Sequence, residues 1–357
     1  MAITSKQSIL ELAGLEKLHS LAIIGLSKNA GKTTCLNHII ADWQASSQKR
    51  PLALTSIGRD GESEDILSGR AKPRIYIPCG TLIATAESAL QRCDALLEIL
   101  ELSNIRTSFG EVVLCRALSD GYVELAGPAT ADEMDKIAKL VRQHEADCLF
   151  IIDGALSRRS QAGSGQNEAI ILAVSAETST NPRILAEKTR FALDALQRPA
   201  INTEINELIL NVLSNNLRAS TLVIKINNKI PDVEILETPS LVGFGDEIAE
   251  KIFDGTDFLF LKGAITDQVI DQLFKEETFK NLTLIAEDGT RLFLKPETTR
   301  KLFAKKIDIR VLNPLDVRLV CLNPTHSNNQ VIVSERLLAE LQQSINVPVV
   351  DFGPANM

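Results

Sequence analysis

One short segment near the N-terminus constrains the fold of this 357-residue chain more than any other. The apolar run at residues 21–25 predicts a buried strand, and Gly31-Lys32-Thr33-Thr34 opens the helical pattern that follows it. A glycine lets the backbone approach a bound group closely, and the N-terminus of a helix attracts anions. The segment therefore predicts a strand, a phosphate-binding loop and a helix in succession.

The residues of this loop suit a nucleotide with magnesium. We expect backbone N–H groups of the loop to surround the β-phosphate, because successive N–H groups form an anion-binding concavity. Lys32 is a compact cation that can span the β- and γ-phosphates, and the Thr33 hydroxyl is placed to ligate Mg²⁺. The residues expected to contact the nucleotide here are Asn29, Ala30, Gly31, Lys32, Thr33 and Thr34.

Two acidic positions are expected at the same edge of the sheet. Asp153 follows the apolar residues 149–152, and Asp60 follows a second predicted strand at residues 51–57. Ligands of open α/β sheets gather at the carboxyl ends of the strands. Asp153 is the expected Mg²⁺ carboxylate, either directly or through water, and Arg59 could face the γ-phosphate. The alternatives are an Asp that only ends a strand and an Arg-Asp-Gly turn.

The spacing of the loop resembles one branch of the P-loop NTPases. Gly25 and Gly31 enclose five residues, one more than the common pattern. This spacing resembles that of dethiobiotin synthetase and the cobyrinic acid synthases, relatives of the MinD-type ATPases. The resemblance implies ATP and Mg²⁺ as cofactors, a homodimer, and Lys32, Asp60 and Asp153 as catalytic residues, with Asp60 orienting the attacking water. A chance glycine-rich turn is the alternative.

A further resemblance covers roughly residues 20–200. The segments at 55–62, 78–81 and 152–160 look like the KamB-type subunit of the lysine 5,6-aminomutase reactivating factor. This resemblance implies an ATP-dependent chaperone that helps replace damaged cobalamin, with a MutS-like ATPase partner and a cobalamin-dependent aminomutase as client. The alternatives are a synthetase that phosphorylates a carboxylate with ATP and a non-hydrolysing interaction protein.

Short apolar runs alternate with amphipathic stretches along the whole chain. This alternation predicts an α/β fold with a doubly wound, mostly parallel sheet. Helices are expected at residues 85–102 and 131–144. The polar stretch at 202–220 suggests a boundary between a nucleotide-binding domain, residues 1–205, and a C-terminal α/β domain, residues 206–357. Asn211, at the end of an apolar run, is a candidate adenine contact by its resemblance to the Asn that has this role in dethiobiotin synthetases.

Composition excludes several classes of function. The formal net charge is −8 and aromatic residues make up 4% of the chain, so we expect no general nucleic-acid binding. Apolar runs are far shorter than the ~20 residues that span a membrane. The six cysteines form no CxxC pair, and we expect buried reduced thiols rather than zinc. Together with an N-terminus that lacks a signal-peptide core, these features predict a cytoplasmic protein.

Overall fold

A computed structural model describes residues 8–46, 50–60, 74–154, 169–326 and 334–352. Within these ranges the strands are β1 (Ser20–Gly25), β2 (Leu52–Ser56), β3 (Arg59–Asp60), β4 (Ile75–Ile77), β5 (Leu82–Ala86), β6 (Leu97–Thr107), β7 (Gly110–Ala117), β8 (Gly121–Val123), β9 (Leu125–Ala126), β10 (Leu149–Asp153), β11 (Ala169–Ser175), β12 (Thr221–Asn227), β13 (Ile230–Leu236), β14 (Phe258–Leu261), β15 (Ile265–Thr266), β16 (Thr283–Ala286), β17 (Leu292–Phe293), β18 (Asp308–Val311), β19 (Val317–Asn323) and β20 (Val349–Asp351).

The described helices are α1 (Ile9–Ala13), α2 (Lys32–Ala45), α3 (Glu87–Leu90), α4 (Ala131–His144), α5 (Pro182–Leu196), α6 (Thr203–Asn215), α7 (Gly245–Lys251), α8 (Asp267–Leu273), α9 (Pro296–Ala304) and α10 (Ser334–Ser344). None of them combines the length and the hydropathy that crossing a lipid bilayer requires. The chain divides into two compact units. Unit 1 comprises Met1–Ala192 and Asp316–Met357, and unit 2 comprises Leu193–Leu315.

Unit 1 is built on a large sheet. Its described strands follow the order β20-β19-β11-β1-β10-β2-β5-β7-β6. Within this set, the strands from β20 to β5 are parallel to one another, while β7 runs antiparallel to both β5 and β6. Parallel neighbours need crossover connections, which helices commonly supply. The α/β class and the mostly parallel sheet that the sequence predicts are therefore confirmed.

Helices cover both faces of this sheet. Ile151 of β10 lies in one core cluster together with Ile40 of α2. The next residue, Ile152, lies in a second cluster together with Ile137 of α4. A strand that is buried on both faces needs apolar side chains at every position, because successive side chains point to opposite sides. This burial explains the continuous apolar run of β10.

The start of α4 shows how a local signal sets a helix boundary. The Thr130 hydroxyl accepts a hydrogen bond from the Glu133 N–H at 3.3 Å, and the Glu133 carboxylate accepts one from the Thr130 N–H at 3.2 Å. This reciprocal capping box satisfies two backbone donors that the helix itself leaves unpaired. The helix predicted at residues 131–144 is confirmed with the same bounds.

Unit 2 contains a smaller mixed sheet. Its described strands follow the order β13-β12-β14-β16-β18. The strands β14, β16 and β18 are parallel, whereas β12 runs antiparallel to β13 and β14. One core cluster of the unit combines side chains from β14, β16 and β18 with side chains from α7 and α8. Unit 2 is therefore an α/β unit with a core of its own.

The units divide the chain differently from the boundary expected at residues 205 and 206. Unit 2 ends at Leu315, and the last part of the chain belongs to unit 1. The reason is strand pairing, since β19 pairs with β11 and β20 pairs with β19. The polar stretch that suggested the boundary contains α6, a helix whose first turn is capped by the Asn202 side chain.

The helix predicted at residues 85–102 is wrong. The segment contains the short helix α3 and then the first half of β6. The strand β6 pairs with β7 along its length, with irregularities between Ile99 and Glu101 and between Leu102 and Arg106. Its leucine spacing fits a helix as well as an irregular edge strand, and pairing with β7 decides between them.

Asp288 of unit 2 makes the stability of this unit depend on pH. The residue is buried, and this burial raises the pKa of its carboxyl from 3.8 to about 6, although hydrogen bonds from Thr290 oppose the shift. The folded state therefore holds a proton that the unfolded state releases between these two values. We expect the contribution of Asp288 to the free energy of unfolding to be fully present below pH 3.8 and to be lost as the pH rises through 6. The loss should be at most about 3 kcal/mol.

The measurement is urea unfolding between pH 4 and 7, compared for the native chain and Asp288→Asn. Asparagine keeps an oxygen that can accept the Thr290 N–H bond, and it does not ionise. The difference in unfolding free energy between the two proteins should change across this pH range. A constant difference would contradict the prediction, because every other carboxyl group is shared by both proteins.

Candidate functional site

The loop between β1 and α2 turns sharply through two residues of left-handed backbone. Asn29 has φ 57° and Gly31 has φ 90°. Gly31 directly precedes Lys32, the first residue of α2. The Leu26 N–H donates a hydrogen bond of 2.8 Å to the carbonyl oxygen of Ala173, which ties the start of the loop to β11. Strand, loop and helix therefore follow one another as the sequence predicts.

Gly31 is required by space as well as by backbone conformation. A Cβ atom at this position would lie 2.9 Å from the Cβ atom of Asn323, at the end of β19. Any side chain here would also force an unfavourable left-handed conformation on an L-residue. The end of β19 thus packs directly against the last residue of the loop.

The side chain of Lys32 lies against the beginning of the loop. Its Cδ atom is 3.4 Å from the position that a Cβ atom of Gly25 would occupy. Lys32, Thr33 and Thr34 are half-buried, while Ala30 is fully buried. These residues begin a helix, where the first peptide N–H groups lack partners within the helix and carry partial positive charge. The local chemistry favours an anion.

Asp153 lies one strand away from the loop. It ends β10, where it pairs directly with Ile23 of β1 on one side and with Ser56 of β2 on the other. Its carbonyl oxygen accepts a hydrogen bond of 2.8 Å from the Ile57 N–H. The next residue, Gly154, donates a hydrogen bond of 3.0 Å from its N–H to the Ile23 carbonyl oxygen. The residue is 1% exposed. A buried acidic side chain thus lies in the strand next to β1.

Asp153 and Thr33 are the residues that the sequence predicts as Mg²⁺ ligands. Across the described ranges, no group of three or more His, Cys, Asp or Glu side chains is placed to hold a metal ion. Mg²⁺ in nucleotide sites needs only one or two protein ligands besides the phosphates and water. Asp153 supplies a carboxylate and Thr33 a hydroxyl, which are oxygen donors of the kind that Mg²⁺ prefers.

Arg59 and Asp60 form β3, which continues from β2 at the same edge. Their backbone pairs antiparallel with Ala126 and Leu125 of β9. The Gly127 N–H donates a hydrogen bond of 2.9 Å to the Gly58 carbonyl oxygen, which attaches this turn to the chain after β9. The side chains of Arg59 and Asp60 lie outside the described part of the structure. Residues 61–73 and 155–168 also lie outside it, and they include the remainder of the segments 55–62 and 152–160.

Two neighbouring strands bring further polar residues to the loop that sequence reasoning missed. Thr178, after β11, donates a hydrogen bond from its hydroxyl to the Ser27 Oγ at 2.8 Å. Asn323, at the end of β19, packs on Gly31 and accepts a 3.1 Å hydrogen bond from the Thr325 N–H. In the sequence, Asn323 is marked only by the proline that follows it at the end of an apolar run. Which strands lie beside that run depends on the order of strands in the sheet, and the sequence does not give this order.

The candidate adenine contact Asn211 is part of a helix. Asn211 lies within α6 of unit 2, and its carbonyl and side-chain oxygens accept hydrogen bonds from Asn215, one turn later. Residues 208–210 of this helix are apolar. Ile209 is fully buried in the core of the unit, whereas Leu210 is 51% exposed. The contact of Asn211 with adenine stays a prediction.

We expect Gly31→Ala to destabilise unit 1 by about 2–4 kcal/mol, because the new methyl group meets Asn323 and the backbone is left-handed. Gly80→Ala is the matched control, since Gly80 has φ 87° and, apart from its two chain neighbours, no residue lies within 4 Å of its Cβ position. The control should cost only about 1 kcal/mol, the conformational part. Chemical unfolding measures both. Equal costs would contradict the contact between the loop and β19.

The carboxyl edge of the unit 1 sheet thus combines a basic helix N-terminus with a buried carboxylate in the adjacent strand. Two further strands support the loop through Thr178 and Asn323. Such an edge can bind an anion with an accompanying divalent cation. No protein-family model matches the sequence, and neither a curated protein nor a solved structure matches it significantly.

Proposed function

We propose that unit 1 binds ATP together with magnesium at the loop between β1 and α2. The observation that carries the proposal is the position of Asp153 beside Ile23, on the strand next to the one that leads into the loop. P-loop NTPases combine a lysine-bearing helix N-terminus with a carboxylate on a neighbouring strand to hold phosphates and Mg²⁺. The protein would then belong to the MinD and dethiobiotin synthetase-like branch of these enzymes.

The roles follow from the chemistry of each residue. Backbone N–H groups of the loop would bind the phosphates, and Lys32 would neutralise charge between the β- and γ-phosphates. Thr33 and Asp153 would hold the magnesium ion, which stabilises charge on the phosphate oxygens when it is bound. Asp60 would orient a water molecule for hydrolysis, and Arg59 would face the γ-phosphate.

Isothermal titration calorimetry with ATP, ADP and GTP, with magnesium or with EDTA, tests this function directly. We expect ATP to bind in the presence of magnesium and to bind more weakly in EDTA. Slow, magnesium-dependent release of phosphate from ATP should accompany binding. A protein that binds none of the three nucleotides under either condition would contradict the proposal.

Asp153→Asn should weaken binding of Mg-ATP by about tenfold, or about 1.4 kcal/mol, because an amide is a poorer ligand for Mg²⁺ than a carboxylate. The effect should disappear in EDTA, since the metal is then absent from both proteins. Asp132→Asn, an exposed carboxylate in the first turn of α4, is the control and should bind normally. An equal loss with and without magnesium would assign Asp153 a structural role instead.

We further propose that the nucleotide cycle serves another enzyme, a cobalamin-dependent aminomutase, together with an ATPase partner. The support is the resemblance to reactivating factors and the presence of unit 2, an α/β unit with its own core that can serve as a docking module. A γ-phosphate can order loops beside it, and hydrolysis can release them, so that a partner reads the nucleotide state.

This role is tested with an inactivated aminomutase mixed with the protein, its partner ATPase, Mg-ATP and fresh adenosylcobalamin. We expect activity to recover only when all of these components are present. Recovery that is unaffected by omitting this protein would reject the chaperone function. It would favour a synthetase that phosphorylates a carboxylate substrate.

A further inference from the structure

Two thiols meet directly behind the phosphate loop. Cys35 lies in the first turn of α2, and Cys321 lies on β19. Their Sγ atoms are 3.1 Å apart, within van der Waals contact, although 286 positions separate the residues along the chain. Both side chains are buried, with exposures of 0% and 1%. None of the six cysteines takes part in a disulfide.

The thiol pair is coupled to the loop through short covalent paths and one hydrogen bond. The Cys35 N–H donates a 2.9 Å hydrogen bond to the Gly31 carbonyl oxygen. On the other side, Asn323 follows Cys321 by two residues and packs against Gly31. The strand β19 therefore touches the loop and its helix at two points, once through sulfur and once through Asn323. The sulfur pair therefore lies next to both the contact at Gly31 and the first turn of α2.

We propose that Cys35 and Cys321 form a disulfide under oxidation, and that the oxidised protein binds Mg-nucleotide more weakly. The second part rests on the proposed nucleotide function. The two thiols lose two protons and two electrons and form one S–S bond, and a small azo compound or disulfide accepts them. A disulfide is about 2.05 Å long, so the sulfur atoms must approach by about 1 Å. Well-packed interiors transmit such a shift to neighbouring residues.

The surroundings of the pair make this reaction slow and selective. Burial raises the pKa of the Cys321 thiol well above its ordinary value, so little thiolate forms at neutral pH. A small oxidant reaches the pair when the structure opens locally. Once one sulfur has reacted, the other is already in contact and completes the bond.

The experiment treats the protein with diamide, whose N=N bond accepts the two electrons and two protons. Cys79→Ser serves as the background, because Cys79 is the exposed thiol and would link separate molecules. We expect digestion to release a linked peptide that contains Cys35 and Cys321 and lacks the mass of two hydrogen atoms. Thermal unfolding should shift upward, since the bond closes a long loop. Both effects should reverse with dithiothreitol.

Calorimetry then compares Mg-ATP binding before and after oxidation. We expect affinity to fall at least about tenfold in the oxidised protein. Cys321→Ala should keep normal affinity after the same treatment, and Cys148→Ala, another buried thiol, should respond like the background. If the linked peptide is absent, the proposed disulfide between Cys35 and Cys321 is rejected. Unchanged affinity in the linked protein would overturn its effect on the site.

These outcomes are separate from a failure of the proposed function. If the reduced protein binds no nucleotide, the function is contradicted, while the linked peptide and the thermal shift still decide whether the pair forms a bond. If the reduced protein binds nucleotide and the peptide is absent, only the disulfide is rejected.

Discussion

Lys32→Ala should weaken ATP binding by about 30- to 1,000-fold, or about 2–4 kcal/mol. The substitution removes the cation at the start of α2 and leaves the loop backbone intact. Lys32 is half-buried, and its Cδ atom lies over Gly25 at the beginning of the loop. Water and salt screen a partly buried charge less than an exposed one. Calorimetry with Mg-ATP measures the loss.

Two controls make this result specific. Lys139→Ala removes an exposed lysine from α4 of the same unit and should leave ATP affinity unchanged. Lys32→Arg keeps the charge but not the compact ammonium group, and it should restore only part of the affinity. Equal ATP affinity in the native chain and in Lys32→Ala would contradict the assignment of this loop to nucleotide binding.

Asp60→Asn should lower the rate of ATP hydrolysis by about 100-fold while it changes nucleotide affinity little, because general-base or water-orienting groups contribute that much to rate. The substitution preserves the size of the side chain and removes its ability to accept a proton. Phosphate release at saturating Mg-ATP gives kcat, and calorimetry gives the affinity separately.

The effect of Asp60→Asn should differ in kind from the effects of Lys32→Ala and Asp153→Asn. Those two changes act on binding, whereas Asp60→Asn should act on turnover alone. Hydrolysis at the native rate in Asp60→Asn would remove Asp60 from the reaction. A parallel loss of affinity would instead indicate that the pairing of β3 with β9 had been disturbed.

The features that could be predicted from the sequence are those that neighbouring residues decide. The loop between β1 and α2 depends on a glycine at position 31 and on the apolar run before it, both within one short segment. The capping box at Thr130 and Glu133 is equally local. The position of Asp153 at the end of a strand also follows from the run before it, because four apolar residues and an Asp need no distant partner to be recognised.

The features that could not be predicted depend on which strands become neighbours. The leucine spacing at residues 85–102 predicts a helix, but pairing with β7 makes β6 a strand. The return of β19 and β20 to unit 1 follows from pairing with β11, far away along the chain. The same pairing brings Asn323 against Gly31 and Cys321 against Cys35. Hydrogen bonds between distant strands leave little trace in local composition, so only the folded chain reveals these contacts.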